Sequence, residues 1–283
     1  MTCVFENIEL EDIYMDENKK IILSKEKETL FITLRAKAMD SLLVNSILHD
    51  DTAYKILKEV NYNFTKFEKD DDRATVVRAK EFDNWIIKYI EANKNANIVY
   101  IGCGLDSRIT RINPPSTVHW YDLDFPEVIE VRKLFYSNKD NYQMIDSSAT
   151  NFSWLEKIPK GRPTLIIAEG VFVYIPSEGV RELFGRIIEY FNHGEIIFDV
   201  MTPFATSIGK KELKKKTGAV YEWTVNDSKE IDSINPKLRK VEELSLMNST
   251  YVGKLSFKSR LMFALLSRIP KFRNMMRLMK YDF

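Results

Sequence analysis

Three carboxylates stand at the ends of short apolar runs in this chain, where side chains can meet a ligand. Asp124 closes "VHWYDLD", Asp146 closes "NYQMID", and Glu169 follows "TLIIA". Ahead of them, "IVYIG" runs into a turn carrying Gly102 and Gly104, in "YIGCGLDS". Two glycines without Cβ atoms let backbone lie directly against a ligand. Asp124, 22 residues past Gly102, can accept from both hydroxyls of a ribose. Asp146 can accept from an adenine amino group, and the backbone amide of Ser147 can donate to a ring nitrogen. Glu169 needs a cation, and an ammonium or a sulfonium qualifies.

Each of these residues also has a plainer reading. The glycines can form a structural turn. Asp124 can be a solvated strand end, with Asp122 as a deeper competitor on the same strand face. Asp146 can cap whatever follows it, since "DSSATNFSW" is full of cap formers. Glu169 can be buried against an arginine. The third position of a dinucleotide fingerprint is Ser107, not glycine, which weakens an NAD or FAD reading because that glycine serves close helix–strand packing.

The elements that must position these groups are legible from texture. β-rich runs occur at 98–102, 118–124, 141–146, 164–170 and 195–201, with helical spacing between them, most clearly at 127–137 and 177–192. Runs apolar at consecutive positions suit parallel strands covered on both faces. The alternation predicts βαβ units with right-handed crossovers in a doubly wound α/β sheet. A sixth strand is expected near 239–247, then a helix at 256–268 and a last strand near 276–283. Upstream, 24–60 reads as two or three helices, 61–72 as a polar connector and 73–93 as a helix. Residues 1–20 read as a poorly ordered arm. The domain expectation is therefore an arm and helical cap over 1–72 and a ligand-binding domain over 73–283, with a basic flap or insertion near 203–235.

Bulk properties exclude several classes. The 283 residues are 45% hydrophobic, with a formal net charge of +1, so no global field favours nucleic acid or an anionic membrane. The two cysteines, Cys3 and Cys103, suggest no disulfide framework and fit a reducing cytosol. The acidic start lacks an apolar signal segment, and no stretch approaches a membrane span. A cytoplasmic protein is expected, with a small-molecule partner, no membrane and no nucleic acid. No cluster with metal-ligand spacing appears, so no metal is expected. His49, His119 and His193 stand beside no motif at catalytic spacing.

Several stretches together resemble class I S-adenosylmethionine-dependent methyltransferases of the leucine carboxyl methyltransferase type, nearer the branch with the tetracenomycin polyketide O-methyltransferases. They are "TLFITLRAKAMDSLLVNSILHDDTA", "VRAKEFDNWI", "VYIGCGLDSRITRI", "WYDLDFPEVIEVRK", "MIDSSATNFSWL" and "IAEGVFVYIPSEGVRELF", covering roughly 29–200, with a weaker match at "TGAVYEW". The resemblance implies a Rossmann-like seven-stranded methyltransferase sheet, mostly parallel with an antiparallel last strand, helices on both faces and an N-terminal helical cap. It implies S-adenosylmethionine as cofactor. Arg78 would grip the methionine carboxylate, helped by Lys37. Gly102 and Gly104 would face the methionine and ribose, Asp124 the ribose hydroxyls, and Asp146 with Ser147 the adenine. Glu169 would lie near the cofactor amino group. Tyr174 would line the methyl-transfer end. The chain departs from the family pattern at Asp51, where a proline is usual, and at Cys103, where many relatives have alanine.

The expected reaction is in-line methyl transfer to a hydroxyl or carboxyl of a small molecule. The donor is already activated, so alignment is most of what the protein must supply, and Tyr174 is the candidate to orient the acceptor. The runner-up acceptor is a protein C-terminal leucine. A different class is a non-catalytic cofactor-binding module. At the C-terminus, residues 254–283 carry eight Lys/Arg against one Asp. They read as a core helix and final strand interrupted by Pro270, with a membrane-surface helix as the alternative.

Overall fold

The computed structural model describes residues 21–67 and 73–283; the expectations for residues 1–20 and 68–72 fall outside them. The cap contributes α1 (Leu30–Ser41) and α2 (Asp51–Glu59), followed by α3 (Arg73–Ala92). The sheet then builds in chain order: β1 (Asn97–Ile101), α4 (Arg108–Ile112), β2 (His119–Asp124), α5 (Pro126–Arg132), β3 (Tyr142–Asp146), β4 (Thr164–Ala168), α6 (Ser177–Phe191) and β5 (Glu195–Met201). The C-terminal part holds α7 (Pro203–Thr217), α8 (Lys229–Asp232), β6 (Arg239–Ser245), α9 (Phe257–Leu266), α10 (Pro270–Arg273) and β7 (Met276–Asp282).

The seven strands lie in the order β3-β2-β1-β4-β5-β7-β6. The first five pair in parallel, and β7 inserts antiparallel to both β5 and β6. The order reverses between β1 and β4, so the crevice at their carboxyl ends is where an open α/β sheet takes a ligand.

Period-two alternation sends successive strand residues into two cores. Val99, Ile101, Leu123, Ile166, Phe198 and Tyr281 pack with α6 on one face. Ile98, Tyr100, Trp120, Ile167, Ile197 and Leu278 pack with α3 on the other. A third core ties the cap down: Phe31, Leu34, Ala38, Ala53 and Ile56 meet Leu105, Val128 and Val131 from the loop after β1 and from α5. The cap is thereby seated beside the glycine turn.

Two expectations change. The stretch from 203 begins as a regular helix, because Thr202 accepts from the Ala205 amide, Pro203 sits in the first turn, and Gly218 ends the helix at φ +79°. At the C-terminus, α9 is not a core helix. Only Ser259 and Phe263 are buried in it, while β7 beyond is a central strand with Leu278, Met279 and Tyr281 fully enclosed.

Candidate active site

The glycine turn is pinned to β2 before any ligand is considered. Gly102 has φ +66° and its amide donates to the Leu123 carbonyl at 2.7 Å. A Cβ at Gly102 would lie 2.3 Å from Cγ2 of Val171, and one at Gly104, with φ +51°, would lie 3.1 Å from Cβ of Leu30. Both the backbone conformation and the space therefore require glycine at 102.

Asp124 accepts from the amides of Gly104 and Phe125, each at 2.8 Å. Burial pushes its carboxyl up to about 6; those two amides and Arg132 pull it down, and Asp122 adds to the rise. Asp122 is indeed the deeper residue. It is fully buried and bonded by Trp120 Nε1 (2.8 Å), Tyr142 (2.7 Å) and Arg132, so it is a packing device.

Behind the turn lies a buried cluster of charges. Lys37 of α1 pairs with Asp106 at 2.8 Å. Arg78 of α3 donates through Nε to Glu169 (3.0 Å) and through Nη1 to Asp199 (3.2 Å). Arg108, fully buried, bonds Asp83 and Glu169 and approaches Asp106 at 3.4 Å; its guanidinium lies 4.7 Å from the Tyr100 ring centroid. Arg111 reaches Asp50, Asp83 and Asp106. Burial alone would raise the carboxyls of Asp106 and Glu169. The cations outweigh it: Lys37, Arg108 and Arg111 hold Asp106 well below the usual carboxylate range, and Arg108, Lys37 and Arg78 bring Glu169 to about 2. Asp199 is shifted the other way, raised by burial against the opposing Arg78 and the Gly170 amide.

Of this cluster, Lys37, Arg78, Asp106, Glu169 and Asp199 line a cavity of about 420 Å³ at the carboxyl edge of the sheet, in the size range of small-molecule sites. Lys37, Arg78, Gly102, Gly104, Asp124, Ser147, Glu169 and Tyr174 all border it. The structure thus brings together eight of the nine residues expected from sequence. Asp146 is the exception. It is the last residue of β3, the edge strand of the sheet, and its carboxylate is exposed and lies 3.6 Å from Lys157. The Ser147 amide also differs from expectation. It donates to the Asp124 carbonyl at 2.9 Å and is already used.

Sequence reasoning missed Asp106, Asp199, Phe125 and Tyr221, which border the same cavity. Asp199 lies near the end of β5 in "EIIFDVM", and the strand-end argument used for Glu169 applies to it equally. Asp106 directly follows the glycine turn. Phe125, between Asp124 and the first turn of α5, places an aromatic ring beside the ribose candidate. Tyr221 stacks with Tyr174 at 5.9 Å between centroids and 20° between planes. Burial raises the Tyr174 phenol, with Tyr221 adding to the rise, so it stays protonated at neutral pH and can donate a hydrogen bond. Cys103 is a buried free thiol, also raised by burial, and unsuited to nucleophilic chemistry. Among the described residues, no group of His, Cys, Asp or Glu could hold a metal ion.

The glycine turn, the aspartate at the end of β2 that is bonded to it, and the antiparallel β7 inserted beside β5 mark an S-adenosylmethionine-dependent methyltransferase of the Rossmann-like class. The comparisons agree. A family model described as "Leucine carboxyl methyltransferase" matches residues 29–188. The tetracenomycin polyketide synthesis O-methyltransferase TcmP of Streptomyces glaucescens is 33% identical over 259 residues, covering 90% of this chain and 96% of the relative. The S-adenosyl-L-methionine-dependent methyltransferase dpfgK of Gibberella zeae is 26% identical over 253 residues, covering 81% and 85%. A solved methyltransferase-type structure from Thermobifida fusca superposes with a TM-score of 0.55 at 9% identity, over 87% of this chain and 93% of that one, which is a likeness of fold. The chain belongs to the leucine carboxyl methyltransferase family.

Proposed function

We propose that this protein methylates an oxygen, hydroxyl or carboxylate, of a small-molecule acceptor. The observation that carries the reading is the lining of the cavity, where Met201 and its strand partner Met276, Leu213 and Tyr221, which stacks on Tyr174, add apolar surface to the charged groups. Such a lining suits an apolar acceptor body whose reacting oxygen meets a tyrosine hydroxyl. The full-length likeness to a polyketide O-methyltransferase supports the same class.

The residues present fit the cofactor. Gly102 and Gly104 bring backbone to the cavity wall, Asp124 offers an acceptor, and the cations Lys37 and Arg78 border the cavity together. In this reading Arg78 and Lys37 hold the methionine carboxylate and Asp124 holds the ribose, while Phe125 and Ser147 flank the adenine. When bound, the cofactor supplies a methyl group on a sulfonium. Glu169 offers negative charge toward the cationic end of that ligand. Tyr174 donates to the acceptor oxygen and fixes its direction of approach. With no free base required for a carboxylate and no histidine bordering the cavity among the described residues, catalysis rests on alignment, which can be worth about 7–11 kcal/mol. The working division is a cap within 1–72 that contributes Lys37 and a methyltransferase domain over 73–283 whose 203–235 segment closes the acceptor end.

Incubation of a cell extract, split into small-molecule and protein fractions, with methyl-labelled cofactor tests the proposal. Label in an ester or ether of the small-molecule fraction is expected. Base-labile label confined to protein C-termini would replace this reading with the C-terminal leucine reaction, and cofactor binding without label in either fraction would favour a non-catalytic module.

A further inference from the structure

The chain carries almost no net charge, yet one face is strongly one-sided. From Leu244 to Tyr281 there is no acidic residue, while eight lysines and arginines fall in the same span. The exposed part of that span is α9 and α10. Along α9, Phe257 (72% exposed), Leu261 (52%) and Leu265 (54%) recur at four-residue spacing, and Ile269 continues the row into the turn before α10. Helical residues four apart share a face, so these side chains form one ridge. Lys254, Lys258, Arg260, Arg268 and Lys271 are exposed around it. The far side of α9 is anchored: Phe263 is buried, and Ser259 is bonded by Arg73 at the start of α3.

The surface continues onto α7. Phe272 of α10 packs edge-on against Phe204 at 5.2 Å, and Lys271 lies 4.0 Å from the same ring. One turn on from Phe204, Ile208 is 58% exposed, and Lys211 and Lys215 extend that stripe. The opposite side of α7 gives Leu213 to the cavity, and β7 starts there with Met276.

We propose that the face formed by α7, α9 and α10 docks on an anionic lipid surface. Along α9 and α10 a row of large apolar side chains is ringed by flexible cations with no carboxylate, and the one acid of α7, Glu212, is paired with Lys216; this is the composition of an interfacial amphipathic surface. The apolar ridge enters the headgroup boundary and the cations meet lipid phosphates and carboxylates. No helix among the described residues is long and apolar enough to cross a membrane, so the contact is peripheral. Docking in this way sets the acceptor end of the cavity close to the interface.

Sedimentation of the full chain with vesicles tests the proposal. One set is phosphatidylcholine alone; the other is equal parts phosphatidylcholine and phosphatidylserine. Binding is expected to the anionic vesicles only and to weaken steeply with added salt. Lys258→Gln and Arg260→Gln should each lower the partition coefficient about fivefold. Leu261→Ser with Leu265→Ser should abolish pelleting, with the thermal transition and cofactor binding of all variants unchanged. Equal binding to neutral vesicles, no binding to either set, or unaffected variants would overturn the proposal. So would a wild-type dimer that the Leu261→Ser/Leu265→Ser variant converts to monomer without any vesicle binding, which would assign the ridge to a second copy of the chain.

Discussion

Replacement of Arg78 by methionine separates cofactor recognition from structure. Arg78 is largely buried and bonded to Glu169 at 3.0 Å and Asp199 at 3.2 Å. Breaking a buried ion pair from one side costs about 3–5 kcal/mol when the remaining charge is stranded. Here neither is fully stranded. Glu169 keeps Arg108, and Asp199 keeps the Gly170 amide. The stability loss should therefore fall at or below the low end, about 2–3 kcal/mol, which for a chain of this size lowers the melting temperature by roughly 4–12 °C. The effect on the ligand is distinct. A charge-assisted pair to the methionine carboxylate is worth about 1.5–3 kcal/mol, or about 10- to 150-fold in affinity. Calorimetric titration with S-adenosylhomocysteine should show that loss. Titration with methylthioadenosine, which lacks the amino-acid moiety, should show little change. An equal loss for both ligands would refute the assignment of Arg78 to the carboxylate and leave it as a purely structural residue.

Gly102→Ala forces an L-residue to φ +66° and a methyl to within 2.3 Å of Val171, so strain of about 1–2 kcal/mol and overpacking of about 1–3 kcal/mol should combine in a lower melting temperature, and cofactor affinity should fall with it. An undiminished melting transition would show that the turn has room to relax. Asp124 must be ionised to accept two ribose hydroxyls. Its pKa of about 6 stands above the ordinary carboxylate value, so the native state holds a proton that the unfolded chain releases; stability from this group falls as pH rises toward 6, while cofactor affinity rises over the same range. Affinity should be about tenfold lower at pH 5 than at pH 7, and Asp124→Asn should bind weakly without that slope. Tyr174→Phe should lower turnover while leaving the dissociation constant of S-adenosylhomocysteine unchanged; unchanged turnover would remove Tyr174 from acceptor orientation.

The legible part of this protein is the part encoded by local pattern. "IVYIG", "VHWYDLD" and "TLIIA" are strands because their residues are apolar at consecutive positions, and the structure sets them within a residue or two of the expected limits. Gly102, Asp124 and Glu169 were legible because each follows such a strand. Asp146 follows one too, but β3 is the edge strand of the sheet, and its last residue is left exposed, which strand position alone does not reveal. The exposure of α9 was hidden for a related reason: an apolar helix in sequence has no label saying whether another element covers it.

What could not be read is the charge cluster, and its connectivity explains why. The partners of Arg108 lie 25 and 61 positions away, those of Arg78 lie 91 and 121, and Arg111 spans 61 to reach Asp50. In sequence Arg108 and Arg111 look like ordinary helix positions. In space, Lys37, Arg78, Arg108 and Arg111 face Asp50, Asp83, Asp106, Glu169 and Asp199, so five carboxylates meet four cations. Isolated burial of any one of these charges would be prohibitive, and mutual pairing offsets that cost; it is what holds the Asp106 and Glu169 carboxyls low next to the cavity. The cluster also draws on every layer: Lys37 and Asp50 belong to the cap region, Arg78 and Asp83 to α3, Asp106, Arg108 and Arg111 to the glycine turn and α4, and Glu169 and Asp199 to the ends of β4 and β5. The same ion pairs that offset the burial of these charges therefore fasten the cap to the sheet, and the charged groups that border the cavity are held in place by partners, Asp83, Arg108 and Arg111, that do not border it.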